Sequence, residues 1–158
     1  MIVVADSGPL RYLIALGQQE LLPRIFGETW LPSDVVRELS AAETPPEVRA
    51  FLNNPPEWLK VQDPSERALA AINKELDIGE RAALALAREL GADLVLVDDA
   101  AARREATILR IRVTGTVGVL RLAAERGWID VPAVVEQLRR SGLYLSESVI
   151  RSAFGQWL

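Results

Sequence analysis

The sequence predicts an α/β fold in which a parallel sheet is covered by helices on both faces. Short apolar runs rich in β-branched residues alternate with longer segments of helical period. A predicted helix separates every such run from the next, and strands joined in this way lie parallel with right-handed crossovers. The chain of 158 residues suits a single domain, 1–158, that is large enough to bury a core.

Five strands are expected. Each is a short run dominated by valine, isoleucine, leucine and threonine, which favour extended structure. In chain order, the strands are predicted at residues 2–5, 29–31, 59–62, 94–97 and 111–114.

Glycine, proline and capping residues place the helices between these strands. In the first half, the signals are Gly17 and Gly27 as the ends of two helices, Ser33 or Asp34 as the cap of a third, and Pro45 and Pro46 as the start of a fourth. In the second half, they are Asp63 with Glu66 for a helix reaching Leu76, Asp77 with Glu80 for a helix ending at Gly91, and later starts at Thr116, Asp130 and Ser146.

The segment 130–158 is predicted to be helical and is a candidate association element. Val149, Ile150, Phe154 and Trp157 form an apolar stripe at helical spacing. Such a stripe must be covered, either by the domain's own layers or by another subunit or partner.

Composition excludes several kinds of chemistry. The chain has no cysteine and no histidine, which rules out thiolate nucleophiles, disulfides, Cys/His zinc sites and histidine acid–base catalysis. Residues 100–158 hold nine arginines and five acids, so the negative excess lies in residues 1–99. The N-terminal residues lack a basic region, and no apolar run is long enough for a bilayer, so we expect a cytoplasmic protein without a membrane segment.

Carboxylates are predicted to meet at one edge of the sheet. Asp6 ends the first strand, and Asp98 and Asp99 end the fourth; in such sheets ligands bind at the carboxyl ends of the strands. Glu80 lies in the first turn of the helix that leads to the fourth strand, and Glu38 borders the apolar face of its helix. Each acid also has an ordinary explanation, as a helix cap, a capping partner or a solvated helix residue.

Converging carboxylates repel one another unless a cation neutralises them. Oxygen ligands select hard ions such as Mg²⁺ or Mn²⁺. An ion of this type also offsets the charge that builds up on a phosphodiester, so the lack of histidine is no obstacle. The acids therefore indicate a divalent metal site.

Two further features suit a phosphate. Gly115 and Gly118 flank the start of a helix whose amides could hold an anion, with the Thr116 hydroxyl beside them. Arg103 and Arg104 follow the paired aspartates by about one turn, and arginine suits phosphate. An ordinary N-cap and a solvated arginine pair are the alternative interpretations.

Five segments resemble the PIN-domain family, in order and over nearly the whole chain. They are "VVADSGPL" at 3–10, "VVREL" at 35–39, "LDIGERAALALA" at 76–87, "VLVDDAAARREA" at 95–106 and "VTGTVGVL" at 113–120. The likeness is greatest to the VapC-like branch, with its Asp-Asp and Gly-Thr-x-Gly motifs. Gly8 departs from the serine or threonine of many members, and the glutamate at 80 departs from the aspartate of many toxins.

The resemblance implies a three-layer α/β/α fold with a mainly parallel five-stranded sheet. It also implies Mg²⁺- or Mn²⁺-dependent cleavage of RNA, often by a toxin restrained by a small antitoxin, and common homodimerisation. The family's acids correspond to Asp6, Glu38, Glu80 and Asp98, with Asp99 beside the last, and Ser7 keeps the hydroxyl that often follows the first aspartate.

The leading hypothesis is a metal-dependent ribonuclease. Asp6, Glu80 and Asp98 would hold the metal, Glu38 would orient a water or a second ion, and Asp99 would be an alternate or outer ligand. The substrate would contact Ser7, Thr116, Arg103 and Arg104. The alternative is a PIN-like binding module whose acids serve only as caps and which acts through protein partners.

Overall fold

A computed structural model describes residues 1–41, 43–143 and 145–158. Five strands form one sheet in the order β3-β2-β1-β4-β5, and every neighbouring pair is parallel. The strands are β1 (Ile2–Ala5), β2 (Glu28–Leu31), β3 (Leu59–Val61), β4 (Leu94–Leu96) and β5 (Val113–Thr114). The predicted α/β fold with a parallel five-stranded sheet is confirmed.

The described residues form ten α-helices, which connect the strands or follow the last one. Before β4 they are α1 (Ser7–Ala15), α2 (Leu21–Phe26), α3 (Ser33–Leu39), α4 (Pro46–Asn53), α5 (Glu66–Ala70) and α6 (Ile78–Leu90). After β4 they are α7 (Ala100–Ile108), α8 (Thr116–Glu125), α9 (Val131–Arg140) and α10 (Glu147–Phe154). None of the helices in the described part of the chain is long and apolar enough to cross a membrane.

The helices cover both faces of the sheet and so complete three layers. Because side chains alternate along a strand, Val3 and Ala5 point into a core built with α1 to α4 and α8 to α10. Val4 and Val95 point into a second core, built with α6 and α7 and flanked by α5. The strand ends are therefore held firmly from both sides.

Three predicted strands, at 29–31, 59–62 and 94–97, differ from the observed ones by one residue. Three larger errors have identifiable local reasons. The fifth strand begins at Val113 rather than at residue 111, because Arg110 adopts a left-handed φ of 60° and the Ile111 N–H closes α7 on Ala106 O. The helix predicted to reach Leu76 ends at Ala70, where the Asn73 side chain soon accepts the Glu75 N–H in a turn that competes with helix.

The third error concerns caps. Ser33 is the first residue of α3 and not its cap; its N–H and hydroxyl donate to Asp63 Oδ1 at 2.8 and 2.7 Å. Asp63 is thereby engaged with α3, and α5 is capped instead by Ser65, whose hydroxyl accepts the Ala68 N–H. A single acid with two candidate helices nearby cannot be assigned from sequence alone.

The C-terminal helices α9 and α10 pack onto the domain itself. Val134, Leu138, Ile150 and Phe154 are buried in the same core as α1 and α8. The predicted caps Asp130 and Ser146 are confirmed. The predicted helical segment contains Tyr144, which lies outside the described residues. Most of the apolar stripe is therefore covered within the chain, while Val149 stays 42% exposed.

Candidate metal centre and nucleic-acid groove

The carboxyl ends of the neighbouring strands β1 and β4 bring Asp6 and Asp98 to the same edge. Asp6 directly follows β1, and its N–H donates to Leu96 O at 2.9 Å. Gly8, in the first turn of α1, passes close to Asp98, since a Cβ at position 8 would stand 3.3 Å from Asp98 Oδ2. The glycine that departs from the family pattern is thus matched to this tight approach.

Glu38 reaches the same region from α3. Its Oε2 accepts the Ser7 hydroxyl at 2.7 Å. Its carboxylate also lies against Gly79 at the start of α6, where a Cβ would come within 2.8 Å of Glu38 Cδ. Ser7 and Gly79 therefore hold Glu38 between the N-terminal ends of α1 and α6.

Asp6 and Glu80 are the two buried acids of this edge. Their exposed fractions are 6% and 8%. Within the described residues, Asp6 Oδ1 and Glu80 Oε2 have no hydrogen-bond partner. A buried carboxylate oxygen without a hydrogen-bond partner lowers the stability of the folded state. We therefore expect a ligand that binds these two oxygens.

The pKa values of three of these acids are raised, as expected where buried negative charges lie close together. Burial raises the pKa of Asp6 to about 7, the charges of Glu38, Asp77 and Asp98 add to this, and the Ser7 backbone N–H opposes it. Burial also raises the pKa of Glu80, helped by its hydrogen bond to Asp77 and by nearby acids. The pKa of Glu38 is raised by burial against the opposing Ser7 hydroxyl. A bound cation would reverse these shifts.

Asp77 is a member of the acidic group that the sequence analysis treated only as a helix cap. It does cap α6, because its Oδ1 accepts the Glu80 N–H at 2.8 Å. Its charge also raises the pKa of Asp6, Glu38 and Glu80. Its position three residues before Glu80 was the available signal, and the capping pattern accounted for it fully.

Asp98 and Asp99 both accept hydrogen bonds at helix N-termini. Asp98 Oδ1 accepts the Thr116 N–H at 2.8 Å, and Oδ2 accepts the Thr116 hydroxyl at 2.7 Å. Asp99 Oδ2 accepts the N–H groups of Ala101 and Ala102. The donors of Thr116 that were expected to face a phosphate therefore face Asp98, and the capping role of Asp99 is observed.

The two arginines lie beside this edge in different environments. Arg103 is half-buried, and its Nη1 donates to Val97 O at 3.2 Å. Arg104 is exposed. Neither forms an ion pair with an acid in the described part of the chain, and the adjacent acid, Glu105, accepts the Asn73 N–H. Both residues line an open groove.

The donor set fits a small divalent cation bound through few protein ligands. No three acidic side chains are placed closely enough to surround an ion, counting residues 1–41, 43–143 and 145–158. Mg²⁺ commonly uses only one or two carboxylates and completes its shell with water. Asp6 and Glu80 are near enough for the charge of Asp6 to raise the pKa of Glu80, and their buried carboxylate oxygens are hard donors of the type that Mg²⁺ and Mn²⁺ prefer.

Comparison with known proteins agrees with the fold. No curated protein matches the chain significantly. A family model described as PIN domain matches residues 2–157, which include both strand ends and all the acids described above. Proteins with this domain are generally nucleases that act with divalent metals. The match spans nearly the whole sequence and the sheet is the expected one, so the chain belongs to the PIN-domain family.

Proposed function

We propose that this protein is a Mg²⁺- or Mn²⁺-dependent endoribonuclease. The observation that carries the proposal is the pair of buried oxygens, Asp6 Oδ1 and Glu80 Oε2, for which the structure describes no hydrogen-bond partner. They lie by the strand ends of a PIN domain. The sequence contains no histidine or cysteine, so histidine acid–base catalysis and thiolate catalysis are excluded.

Asp6 and Glu80 are proposed as the residues that hold the metal. When bound, the ion would offset the negative charge that develops on the phosphodiester during cleavage. Asp98 lies at the same edge of the sheet and would contact the metal directly or through a water molecule. Thr116 orients Asp98 through two hydrogen bonds. Asp99 fixes the start of α7 and remains an outer or alternate ligand.

Glu38 is proposed to orient the attacking water. Its carboxylate lies against Gly79, the residue before Glu80, and so stands beside a proposed metal ligand. The Ser7 hydroxyl donates to Glu38 Oε2, so Ser7 acts by holding Glu38, whereas the sequence analysis placed it in contact with substrate. This assignment gives the acidic group two tasks, metal binding and water positioning.

Arg103 and Arg104 are proposed to bind phosphates of the RNA. Guanidinium groups bind phosphate oxygens through paired hydrogen bonds. The arginines belong to the half of the chain that carries the positive excess, whereas most of the acids lie in the other half. One edge of the sheet can thereby hold both a cation and a polyanion.

Assignment to the VapC-like branch rests on the resemblance alone. On that basis we propose a cytoplasmic toxin paired with a small antitoxin protein, and a homodimer as the assembled form. Light scattering at tens of micromolar protein decides the second point, since a monomer there contradicts the homodimer.

The direct test is cleavage of single-stranded RNA by the purified chain. We expect cutting with Mn²⁺ or Mg²⁺, none with EDTA, and loss of cutting in Asp6→Asn and Glu80→Gln. Glu57→Gln changes an exposed glutamate outside the site and should cut like the wild type. Equal cutting by wild type and Asp6→Asn would identify a contaminating nuclease. A folded protein that neither cuts RNA nor binds Mn²⁺ would favour the alternative, a binding module that acts through protein partners, in which Asp98 and Asp99 serve only to accept hydrogen bonds at helix N-termini.

A further inference from the structure

An open groove of about 970 Å³ runs along the free side of the edge strand β5. We call it the β5 groove. It lies between α7, α8 and the residues Leu143, Leu145 and Val149 near the start of α10. Asp98 stands at its border. Its walls include Arg103, Arg104, Ile108, Val117, Leu145 and Val149. Its volume lies within the roughly 300–1,000 Å³ that ligand pockets enclose.

The β5 groove is continuous with the proposed catalytic edge. Asp98 belongs to both, and Arg103 lies between them, since its Nη1 bonds Val97 O while its side chain lines the groove. A Cβ at Gly115 would stand 2.5 Å from Asp98 Oδ1 and 2.9 Å from Arg103 Nη1. Glycine at position 115 therefore lets Asp98 and Arg103 pack closely against the backbone at the point where the groove meets the catalytic edge.

The lining of the groove is apolar with a cationic rim. Ile108 is 73% exposed and Val149 is 42% exposed, so two large apolar side chains face the cleft uncovered within the described structure. Arg104 extends from the turn of α7 before Ile108 and is exposed. An apolar floor beside two arginines that form no ion pair within the described residues suits a flat, neutral ring attached to an anionic backbone.

We propose that the β5 groove binds a nucleobase of single-stranded RNA next to the phosphate that is cut. Arg104 and Arg103 would contact the flanking phosphates, and Ile108 and Val149 would contact the base. The proposal rests on the proposed function for its placement of the cut. Charge favours RNA over a neutral peptide, because Arg103 and Arg104 both line the groove and neither forms an ion pair among the described residues.

The test compares binding of RNA with binding of the same backbone without bases. Fluorescence anisotropy in EDTA would follow a labelled oligonucleotide of about 12 nucleotides and an abasic oligomer of equal length. We expect the wild type to prefer the RNA about fivefold or more, the effect of burying part of a base against apolar side chains. The double variant Ile108→Ser with Val149→Ser should lose this preference and bind both oligomers alike. Arg104→Gln should weaken both oligomers equally.

Matched controls lie away from the groove. Val61→Ser alters an exposed apolar side chain on β3, the opposite edge strand, and Arg67→Gln alters an exposed arginine of α5. Both should keep the wild-type preference, and thermal melting confirms folding of all variants. Equal affinity of the wild type for both oligomers, or no binding of the RNA, would overturn the proposal. Because the titration contains EDTA, its outcome is separate from that of the metal and cleavage tests.

Photocrosslinking of the purified, labelled protein in a cell extract identifies the occupant. The chain has no cysteine, so Ile108→Cys offers a single attachment point for a photoreactive label, and Val61→Cys is its control. RNA adducts formed by the first and not by the second would support the proposal. Adducts made only with polypeptide, whether a partner or a second copy of the chain, would overturn it in favour of a protein-binding groove.

Discussion

Asp6 and Glu80 differ from the neighbouring acids in what their oxygens contact. Asp98 and Asp99 accept hydrogen bonds from helix N-termini, and Glu38 accepts one from Ser7. The buried oxygens Asp6 Oδ1 and Glu80 Oε2 instead lack a partner among the described residues. This difference separates the residues that we propose as metal ligands from those that shape the site around them.

At the residue scale, Asp6 should make the metal-free protein less stable as pH rises. Its pKa is about 7 in the folded chain, against an ordinary value of 3.8. Folding therefore takes up a proton between these values, so the Asp6 contribution lowers the free energy of unfolding as pH rises from about 4 to about 7. Glu80, whose pKa is raised to about 9, continues the fall above pH 7. Urea unfolding in EDTA at several pH values measures this fall.

Asp6→Asn should reduce the fall and stabilise the metal-free chain above pH 7, by up to about 4 kcal/mol. Glu38 and Glu80, whose pKa values are also raised, leave a smaller fall of the same sign. Asp63→Asn is the opposite control: the Ser33 hydroxyl lowers the pKa of Asp63, so this acid's contribution is lost as pH falls. An unchanged profile in Asp6→Asn would contradict the account.

Gly79→Ala should impair cleavage without unfolding the protein. A methyl group at this position collides with the Glu38 carboxylate, so Glu38 must leave its place beside Ser7. We expect activity to fall about 10- to 100-fold, the usual effect of disturbing a residue that supports a metal site. Cleavage assays and thermal melting measure the two effects.

Gly155→Ala is the matched control, because a Cβ there makes only an ordinary contact with Arg151 at 3.5 Å. Full activity of Gly79→Ala would mean that Glu38 has no part in the reaction. Loss of Mn²⁺ binding together with activity would assign Glu38 to the metal and not to the water.

The positions of the acids at the sheet edge could be predicted from the sequence, but their contacts could not. Strand ends and helical period are local patterns, so Asp6, Asp98 and Glu38 could be placed at one edge from spacing alone. Thr116 and Asp98 are 18 residues apart, and their double hydrogen bond depends on how β4 and β5 are aligned. Asp77 was missed as a charged neighbour because its capping role gave a sufficient local explanation.

At the scale of elements, α10 should contribute strongly to folding. Phe154 is fully buried in the core shared with α1 and α8. Phe154→Ala should lower the free energy of unfolding by about 3–5 kcal/mol, whereas Val149→Ala should change it by about 0.5 kcal/mol or less. Urea unfolding measures both. A small effect of Phe154→Ala would place the helix outside the cooperative core.

The elements that were predicted correctly have strong local signals. Asp77, Asp130 and Ser146 each cap the helix expected of them, and Gly91 ends α6 in a left-handed conformation. The third and fifth helices were placed with wrong caps because Asp63 bonds Ser33 across 30 residues. Long-range competition for one carboxylate is invisible to a local pattern.

At the scale of the whole molecule, the parallel sheet could be predicted but its order could not. The right-handed crossover rule makes the strands parallel, yet it allows several arrangements. The observed order places β1 beside β4, and this neighbourhood is what joins Asp6 to Asp98. It also leaves β5 at an edge, where the groove and the positively charged part of the chain adjoin the acids.

Titration calorimetry with Mn²⁺ tests the central claim most directly, since it needs no knowledge of the substrate. We predict that the wild-type chain binds Mn²⁺ and that Asp6→Asn binds it about tenfold more weakly or worse, with unchanged circular dichroism. Glu57→Gln should bind like the wild type. Equal binding by wild type and Asp6→Asn, or no binding by the wild type, would contradict the proposed metal centre.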